Sequence, residues 1–191
     1  MRESHPDYHN APVPPFGAAD ARLLIVGLAP GVHGANASGR PFTGDHAGIL
    51  LYGTLHALGV ATRPTSLQRG DGLRLVGCRI TNAVKCLPPE NKPTTAEVDT
   101  CNAYLAAELE RFPLDGTMLA LGAIAHRAVL RAHGLKLNVY PFEHGRVHRL
   151  PTGRALVDSY HCSRYNTQTG RLTASMFETV LRRAIELASD D

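Results

Sequence analysis

Four short apolar runs alternate along this chain with segments of helical periodicity, and no other feature constrains the fold as strongly. The runs predict strands that are each followed by a loop rich in Gly, Pro, Asn or His, at residues 22–27, 78–84, 117–122 and 155–160. The segments between and after them predict helices at residues 47–58, 95–112, 123–133 and 173–188. Strands that alternate with helices are typical of a parallel sheet covered by helices. We therefore predict an α/β protein, a three-layer sandwich with a short central parallel sheet.

Length and composition fit one domain over residues 1–191, because 43% hydrophobic content can form a substantial core. Residues 1–20 predict an irregular lead-in to that domain. No run approaches the roughly 18 apolar residues of a membrane helix, and the first residues contain no apolar signal segment. We expect a cytoplasmic protein with no membrane partner. The net charge of +3 permits a polyanionic partner without requiring one.

The longest loop, residues 27–45, directly follows the first predicted strand. Its glycines let the backbone turn sharply and approach a ligand, and its Asn, Arg, Thr and Asp residues supply polar groups. In α/β proteins the ligands bind beyond the carboxyl ends of the strands, where this loop begins. A plain surface loop is the alternative, but loops of this length in compact domains are usually functional. The segment therefore predicts the wall of a binding pocket.

Two further loops follow strands and are expected at the same edge of the sheet. Residues 82–93 carry two amides, Asn82 and Asn91, beside lysines and a Pro-Pro pair. Residues 158–171 carry His161 followed by small polar residues. Amides can read the edge of a planar base, whereas hydroxyls and arginines suit phosphates. A single Asn or His is more often a turn former or a surface residue, so the prediction depends on their convergence.

Familiar catalytic and nucleotide-binding motifs are missing from the sequence. The spacing Gly27-x-x-x-Gly31-x-x-Gly34 is not the dinucleotide fingerprint, and neither a phosphate-binding P-loop nor a Gly-x-Ser-x-Gly elbow occurs. The four cysteines are too scattered to predict a zinc site.

Three ordered motifs carry a resemblance to a known family. They are GLAPGVHGANASGRPFTGD at 27–45, ITNAVKCLPPENKP at 80–93 and SYHCS at 159–163. Together they resemble the family 5 (type b) uracil-DNA glycosylases, from about Pro12 to the last predicted helix. The resemblance implies the uracil-DNA glycosylase fold and a monomer that excises uracil from DNA, the first step of base excision repair. It also implies activity on hypoxanthine and other deaminated bases.

The resemblance assigns catalytic roles to Asp45, Asn91 and His161. Asp45 would orient a water and stabilise an oxocarbenium-like sugar, because the second residue of the first motif, Leu28, is apolar. His161 would donate a hydrogen bond to the oxyanion that develops on uracil. Whether Asn82 or Asn91 contacts the base is left open. Phe42 would stack on the flipped base, and the other assigned base contacts are Gly27, Ala29, Pro30, Gly31 and Asn82. The residues assigned to DNA contact are Arg40, Lys92, Ser163, Arg164, Asn166 and Arg171.

The resemblance also implies a 4Fe-4S cluster held by four cysteines, two of which match Cys86 and Cys101. The other two form a C-x-x-C pair that this sequence lacks. We expect either a truncated start or a natural cluster-free variant, since two ligands cannot hold a cluster that takes four. A second departure is Cys162, which replaces a proline and loosens the turn after His161.

Two other functions stay open. A nucleotide- or phosphate-binding enzyme would explain the glycine-rich loop but not the amides and histidine of the other two loops. A DNA-binding module that has lost catalysis would bind uracil-containing DNA and leave it intact. Release of free uracil from DNA distinguishes both from an active glycosylase.

Overall fold

The computed structural model describes residues 3–189 of the chain. Over this part, the strands are β1 (Phe16–Gly17), β2 (Leu23–Gly27), β3 (Cys78–Asn82), β4 (Thr117–Leu121), β5 (Val147–Arg149) and β6 (Ala155–Ser159). The α-helices are α1 (Ala35–Ser38), α2 (His46–Ala57), α3 (Thr95–Glu110), α4 (Ala123–Ala132), α5 (Arg164–Gln168) and α6 (Ala174–Ser189). Single turns of 3-10 helix lie at Pro89–Asn91 and Leu137–Val139.

All of these strands form one sheet, in the order β1-β3-β2-β4-β6-β5. Its central strands β3, β2, β4 and β6 run parallel, and the two edge strands pair antiparallel. The register places Gly27 beside Asn82 and Leu121 beside Ser159. The carboxyl ends of the parallel strands therefore lie along one edge, which is where ligands bind in folds of this kind.

Helices cover both faces of the sheet, as predicted. Successive residues of a strand point to opposite faces, so Leu23 and Ile25 join one buried cluster with residues of α2 and α6. Leu24 and Val26 join a second cluster with residues of α3 and α4. Burial of β2 on both faces explains why its sequence is a continuous apolar run. The three-layer α/β prediction is confirmed.

The four predicted helices and the four predicted strands are confirmed, with ends that differ by at most two residues. Thr94 and Glu97 form a capping box at the start of α3, and Gly134 follows α4 with a positive φ of 66°. Within residues 3–189, no helix is both long enough and apolar enough to cross a membrane.

The short elements are not apparent from the sequence pattern. The predicted irregular lead-in contains β1, which pairs Phe16 with Ile80, and β5 pairs Val147 with Val157 at the opposite edge. Both strands are too short for a periodic pattern of apolar residues to show. For the same reason, the short helices α1 and α5 lie in segments that the sequence predicted as loops.

Candidate active site

Side chains from three separate loops meet at the carboxyl edge of the sheet. A Cβ atom placed on Gly27 would lie 2.5 Å from Oδ1 of Asn82 and 2.5 Å from the ring of Phe42. The ring centroids of Phe42 and His161 are 6.0 Å apart, and a Cβ on Gly34 would lie 2.8 Å from Cβ of Asp45. The structure thus brings together Phe42, Asp45, Asn82 and His161, as the convergence of the loops predicted.

Phe42 forms a fixed wall of this site. Its side chain is 5% exposed, and its φ of 54° lies in the left-handed region that L side chains rarely adopt. Its carbonyl oxygen presses against α2, where a Cβ on Gly48 would lie only 1.9 Å away. The glycine at position 48 is therefore required for the backbone of Phe42 to lie where it does.

Asn82 ends β3 with its side-chain amide turned toward Gly27 and Phe42. Its Oδ1 atom is buried and accepts no hydrogen bond from any residue that the structure describes. Buried polar atoms are almost always paired, and leaving one unpaired costs about 1–3 kcal/mol. Such an atom beside Gly27 and Phe42 is suited to accept a hydrogen bond from a ligand.

Asp45 is half-buried and has a structural contact of its own. Its Oδ1 atom accepts a hydrogen bond of 2.8 Å from the backbone N–H of Gly48, which caps the start of α2. Burial raises the pKa of the Asp45 carboxyl above its ordinary value, and the N–H of Gly48 and nearby His46 oppose this rise. One oxygen of the carboxylate is thus held by the N–H of Gly48, and the group is partly shielded from water.

His161 lies beyond the end of β6. Burial lowers the pKa of His161 to about 4, so its imidazole is neutral near neutral pH and can donate one N–H. Its backbone carbonyl accepts a hydrogen bond of 2.8 Å from Nδ2 of Asn166. On the side of α4, His161 lines a cavity of about 250 Å³ together with Leu28, Phe142, Tyr160, Asn166 and Arg171.

Asn91, the other amide, lies in an exposed turn with a positive φ of 58°. Its Oδ1 atom accepts a hydrogen bond of 3.1 Å from the N–H of Val32. This bond ties the proline-rich loop to the glycine-rich loop. In the latter, Ala29 is half-buried and Pro30 is buried, while the carbonyl of Gly31 accepts from the N–H groups of Gly34 and Asn36.

The residues predicted to contact DNA fall into two groups. The charged side chains of Lys92, Arg164 and Arg171 are exposed. Arg171 stacks on the ring of Tyr160, with its guanidinium carbon 4.6 Å from the ring centroid. Ser163 caps α5 by accepting from the N–H of Asn166. Asn166 itself supports the backbone of His161.

Arg40 requires a correction. Its side chain is 5% exposed, and both terminal nitrogens of its guanidinium bind the carboxylate of Asp71. A guanidinium held in this way has no free face for a phosphate. We therefore do not assign Arg40 to the DNA interface. Nothing local in the sequence indicates that a carboxylate 31 residues away binds it.

The cysteines do not form a four-thiolate site among residues 3–189. Cys86 and Cys101 line one small cavity, and burial together with the neighbouring thiol raises the pKa of Cys86. Cys78 and Cys162 are buried in the core. Burial raises the pKa of both, that of Cys162 to about 12. The residues described do not fit a 4Fe-4S cluster.

A buried polar cluster behind the site was not predicted from the sequence. Asp158, on β6, lies 2.7 Å from Nδ1 of His126 and 3.1 Å from Nε2 of His148. The Nε2 atom of His126 is 2.8 Å from the carbonyl of Tyr140, so that nitrogen carries a proton. The three groups are close enough to hold a small cation, but each already has a hydrogen-bond partner. The available signal was a carboxylate inside an apolar strand, three residues before His161.

Comparison with known proteins agrees with this geometry. The family model of the uracil DNA glycosylase superfamily matches residues 14–185 of this chain. A type-5 uracil-DNA glycosylase from Thermus thermophilus is 51% identical over 181 residues, which cover 95% of this chain and 82% of the relative.

More distant relatives agree as well. The type-5 uracil-DNA glycosylase of Mycobacterium leprae is 45% identical over 183 residues, 95% of this chain and 80% of that protein. That of Pyrobaculum aerophilum is 44% identical over 177 residues, 93% of this chain and 76% of that protein. Sequence identity of this extent over nearly the whole chain shows that these proteins are homologous. The chain belongs to the uracil DNA glycosylase superfamily.

Proposed function

We propose that this protein is a uracil-DNA glycosylase, which hydrolyses the N-glycosidic bond of deoxyuridine in DNA and so initiates base excision repair. The observation that carries the proposal is the buried, unpartnered Oδ1 of Asn82, packed between Gly27 and the ring of Phe42 at the carboxyl edge of the sheet. The names of the relatives support the same activity.

Asn82 supplies the hydrogen bonds that select uracil. Its Oδ1 accepts from N3–H of the base, and its Nδ2 donates to O4. Cytosine has no hydrogen on N3 and carries an amino group at C4, so it would place acceptor against acceptor and donor against donor. Phe42 offers its ring to a base that has been flipped out of the duplex. Asn82 is therefore the amide that we assign to the base.

Hypoxanthine is a second substrate on the same grounds. Its N1–H and O6 present the donor and acceptor in the same order as N3–H and O4 of uracil. The amide of Asn82 does not distinguish the two edges, so only the depth of the pocket discriminates between a pyrimidine and a purine.

Asp45 and His161 stabilise the charges that develop as the bond breaks. The carboxylate of Asp45 faces the positive charge on the sugar and orients the attacking water, while Gly48 keeps its other oxygen fixed. His161, neutral because of its low pKa, donates a hydrogen bond to O2 of the departing uracil. Preorganised groups of this kind typically contribute about 10²–10³-fold in rate.

The exposed cations around the pocket bind the DNA backbone. Lys92, Arg164 and Arg171 lie on the loops that surround the site, and they neutralise phosphates without reading the sequence. Ser163 and Asn166 hold the loop of His161 in place. Asn91 sets the distance between the two loops on the opposite side through Val32, and the backbone of residues 29–31 borders the base.

The test is an end-labelled oligonucleotide that contains one uracil, incubated with the purified protein and then treated with alkali to break abasic sites. We expect strand cleavage and free uracil from this substrate, and neither from a matched cytosine oligonucleotide. Tight binding without cleavage would instead support the module that has lost catalysis. Absence of both binding and cleavage would leave the nucleotide-binding alternative.

A further inference from the structure

We propose that Arg40 and Asp71 are a pair of positioning residues, which hold the segment 40–45 in the geometry that the reaction needs. This inference rests on the proposed function. Neither residue touches the base pocket, and both act through Phe42 and Asp45, which lie on the segment that the pair fixes.

Asp71 gathers an unusual number of donors. Its two oxygens accept hydrogen bonds of 2.9 and 2.5 Å from Arg40. They also accept from the backbone N–H groups of Leu67, Gln68 and Leu73. The Arg40 guanidinium and these N–H groups hold the pKa of the Asp71 carboxyl well below its ordinary value. The Asp71 carboxyl is therefore ionised near neutral pH.

Asp71 lies in residues 58–77, the excursion of the chain between α2 and β3. No other role of this excursion is evident. Ala61 bridges to Leu75 across its base, and Thr62 bonds Arg74 through both backbone and side chain. The excursion folds over the glycine-rich loop, since Ser66 accepts from the N–H of Gly44. Asp71 fixes its far end to that loop.

Arg40 connects Asp71 to the segment that carries Phe42 and Asp45. Its Nε atom donates to Oγ1 of Thr43 at 2.9 Å, and Thr43 in turn contacts Oγ of Ser66 at 2.6 Å. Tyr52 of α2 donates to the carbonyl of Pro41 at 2.7 Å. Both residues that flank Phe42 are thus tied to elements outside the loop.

Phe42 needs such support because its backbone is strained. A non-glycine residue at a φ of 54° is strained, and this conformation persists only where its surroundings impose it. If the support is weakened, Phe42 is expected to relax, and its ring and the nearby Asp45 move with it. Misplacement of reacting groups by about 1 Å can cost 10²-fold in rate.

The experiment compares Asp71→Asn and the milder Arg40→Lys with the wild-type protein and with Glu178→Gln, which removes an exposed ion pair to Arg182 on α6. Single-turnover excision should fall at least about tenfold in Asp71→Asn and less in Arg40→Lys. The Kd for DNA that contains a non-cleavable 2′-fluoro-deoxyuridine should change by no more than about threefold, because the phosphate contacts remain. Amide exchange over residues 40–48 should quicken in both variants and stay unchanged in Glu178→Gln.

A double-mutant cycle separates positioning from general destabilisation. If the pair acts by placing Phe42, then Phe42→Ala should cost much less in the Asp71→Asn background than in the wild type. Additive losses, an unchanged excision rate, or losses recovered fully by cooling below the unfolding transition would overturn the inference. If the wild type itself releases no uracil, the proposed function fails. In that case unchanged exchange over 40–48 would overturn the inference as well, and faster exchange would retain the anchoring role.

Discussion

Gly27 and Asn82 are neighbours across the β2–β3 ladder, and a Cβ atom on Gly27 would lie 2.5 Å from Oδ1 of Asn82. That separation is shorter than any contact a real Cβ makes, so only glycine leaves the amide where it is. The same Cβ would strike the ring of Phe42. The place that we propose for the base therefore exists because one side chain is absent.

Gly27→Ala should consequently reduce excision by about tenfold to 10²-fold, because Asn82 and Phe42 must both move. The matched control is Gly53→Ala in α2, where a Cβ would come no closer than 4.0 Å to Pro64. This control should retain full activity and gain about 0.5–1 kcal/mol of stability. Single-turnover rates and thermal melts of the two variants check the prediction. Equal activity of both alanine variants would show that Gly27 does not border the base.

Asp45→Asn separates the two roles of this residue. Asn caps helices as well as Asp does, so α2 should keep its start while the charge is lost. Excision should fall by about 10²-fold or more. Because burial raises the pKa of Asp45, the charged form opposes folding, and stability should rise as the pH falls through that pKa. The neutral variant should therefore melt at the same or a higher temperature near pH 7. A rate within a few fold of wild type would refute the catalytic assignment.

His161→Ala should lower single-turnover cleavage by about 10²-fold or more, with a much smaller effect on the binding of uracil-containing DNA. Equal losses in rate and binding would mark His161 as a DNA-positioning residue. His56→Ala, which changes an exposed histidine of α2, serves as the control.

The ionisation of His161 gives a separate measurement. Its pKa of about 4 lies below the value of about 6.5 for an unfolded histidine. Between these values the unfolded chain binds the proton and the folded chain does not, so the unfolding free energy should fall as the pH drops from about 6.5 to 4. The imidazole ¹³C resonance of His161 should not titrate above pH 5. Titration near 6.5 would contradict its burial.

Arg164→Ala and Arg171→Ala should weaken binding to any DNA sequence. Each should reduce the slope of log Kd against log salt by about 0.9, and Arg171→Ala should weaken binding further because it also frees Tyr160. Arg182→Ala on α6 is the control of equal charge. The measurement is fluorescence anisotropy over a salt series, and an unchanged slope would remove the residue from the DNA interface.

The cysteines lead to a prediction about metal content. Cys86 and Cys101 line one cavity, whereas Cys78 and Cys162 are buried in the core, and two thiols are too few for a four-iron cluster. The 191-residue chain should purify without colour under anaerobic conditions, with iron and sulfide far below stoichiometry. Stoichiometric iron would mean that Cys78, Cys162 or a ligand of another type completes the site.

The sequence predicted those parts of the molecule that local pattern controls. The central strands are buried on both faces, so their apolar runs stood out. Phe42, Asn82 and His161 could be expected to converge because each lies at or after the carboxyl end of such a strand. Pairings between distant residues left no local trace. Arg40 is read as a surface cation unless Asp71 is known to face it, and His126 is bound to a carboxylate 32 positions away.

The order of strands in the sheet also determines when the site can form. β2 lies between β3 and β4, and β6 joins on the far side of β4, so Gly27, Asn82 and His161 are delivered by three strands that are distant in sequence. A partly synthesised chain can hold Phe42 beside Asn82 but lacks His161 until β6 has docked. Long-range strand pairing is slow to nucleate. Recovery of excision during refolding should therefore lag behind the recovery of helix signal, and it would report the completion of the sheet.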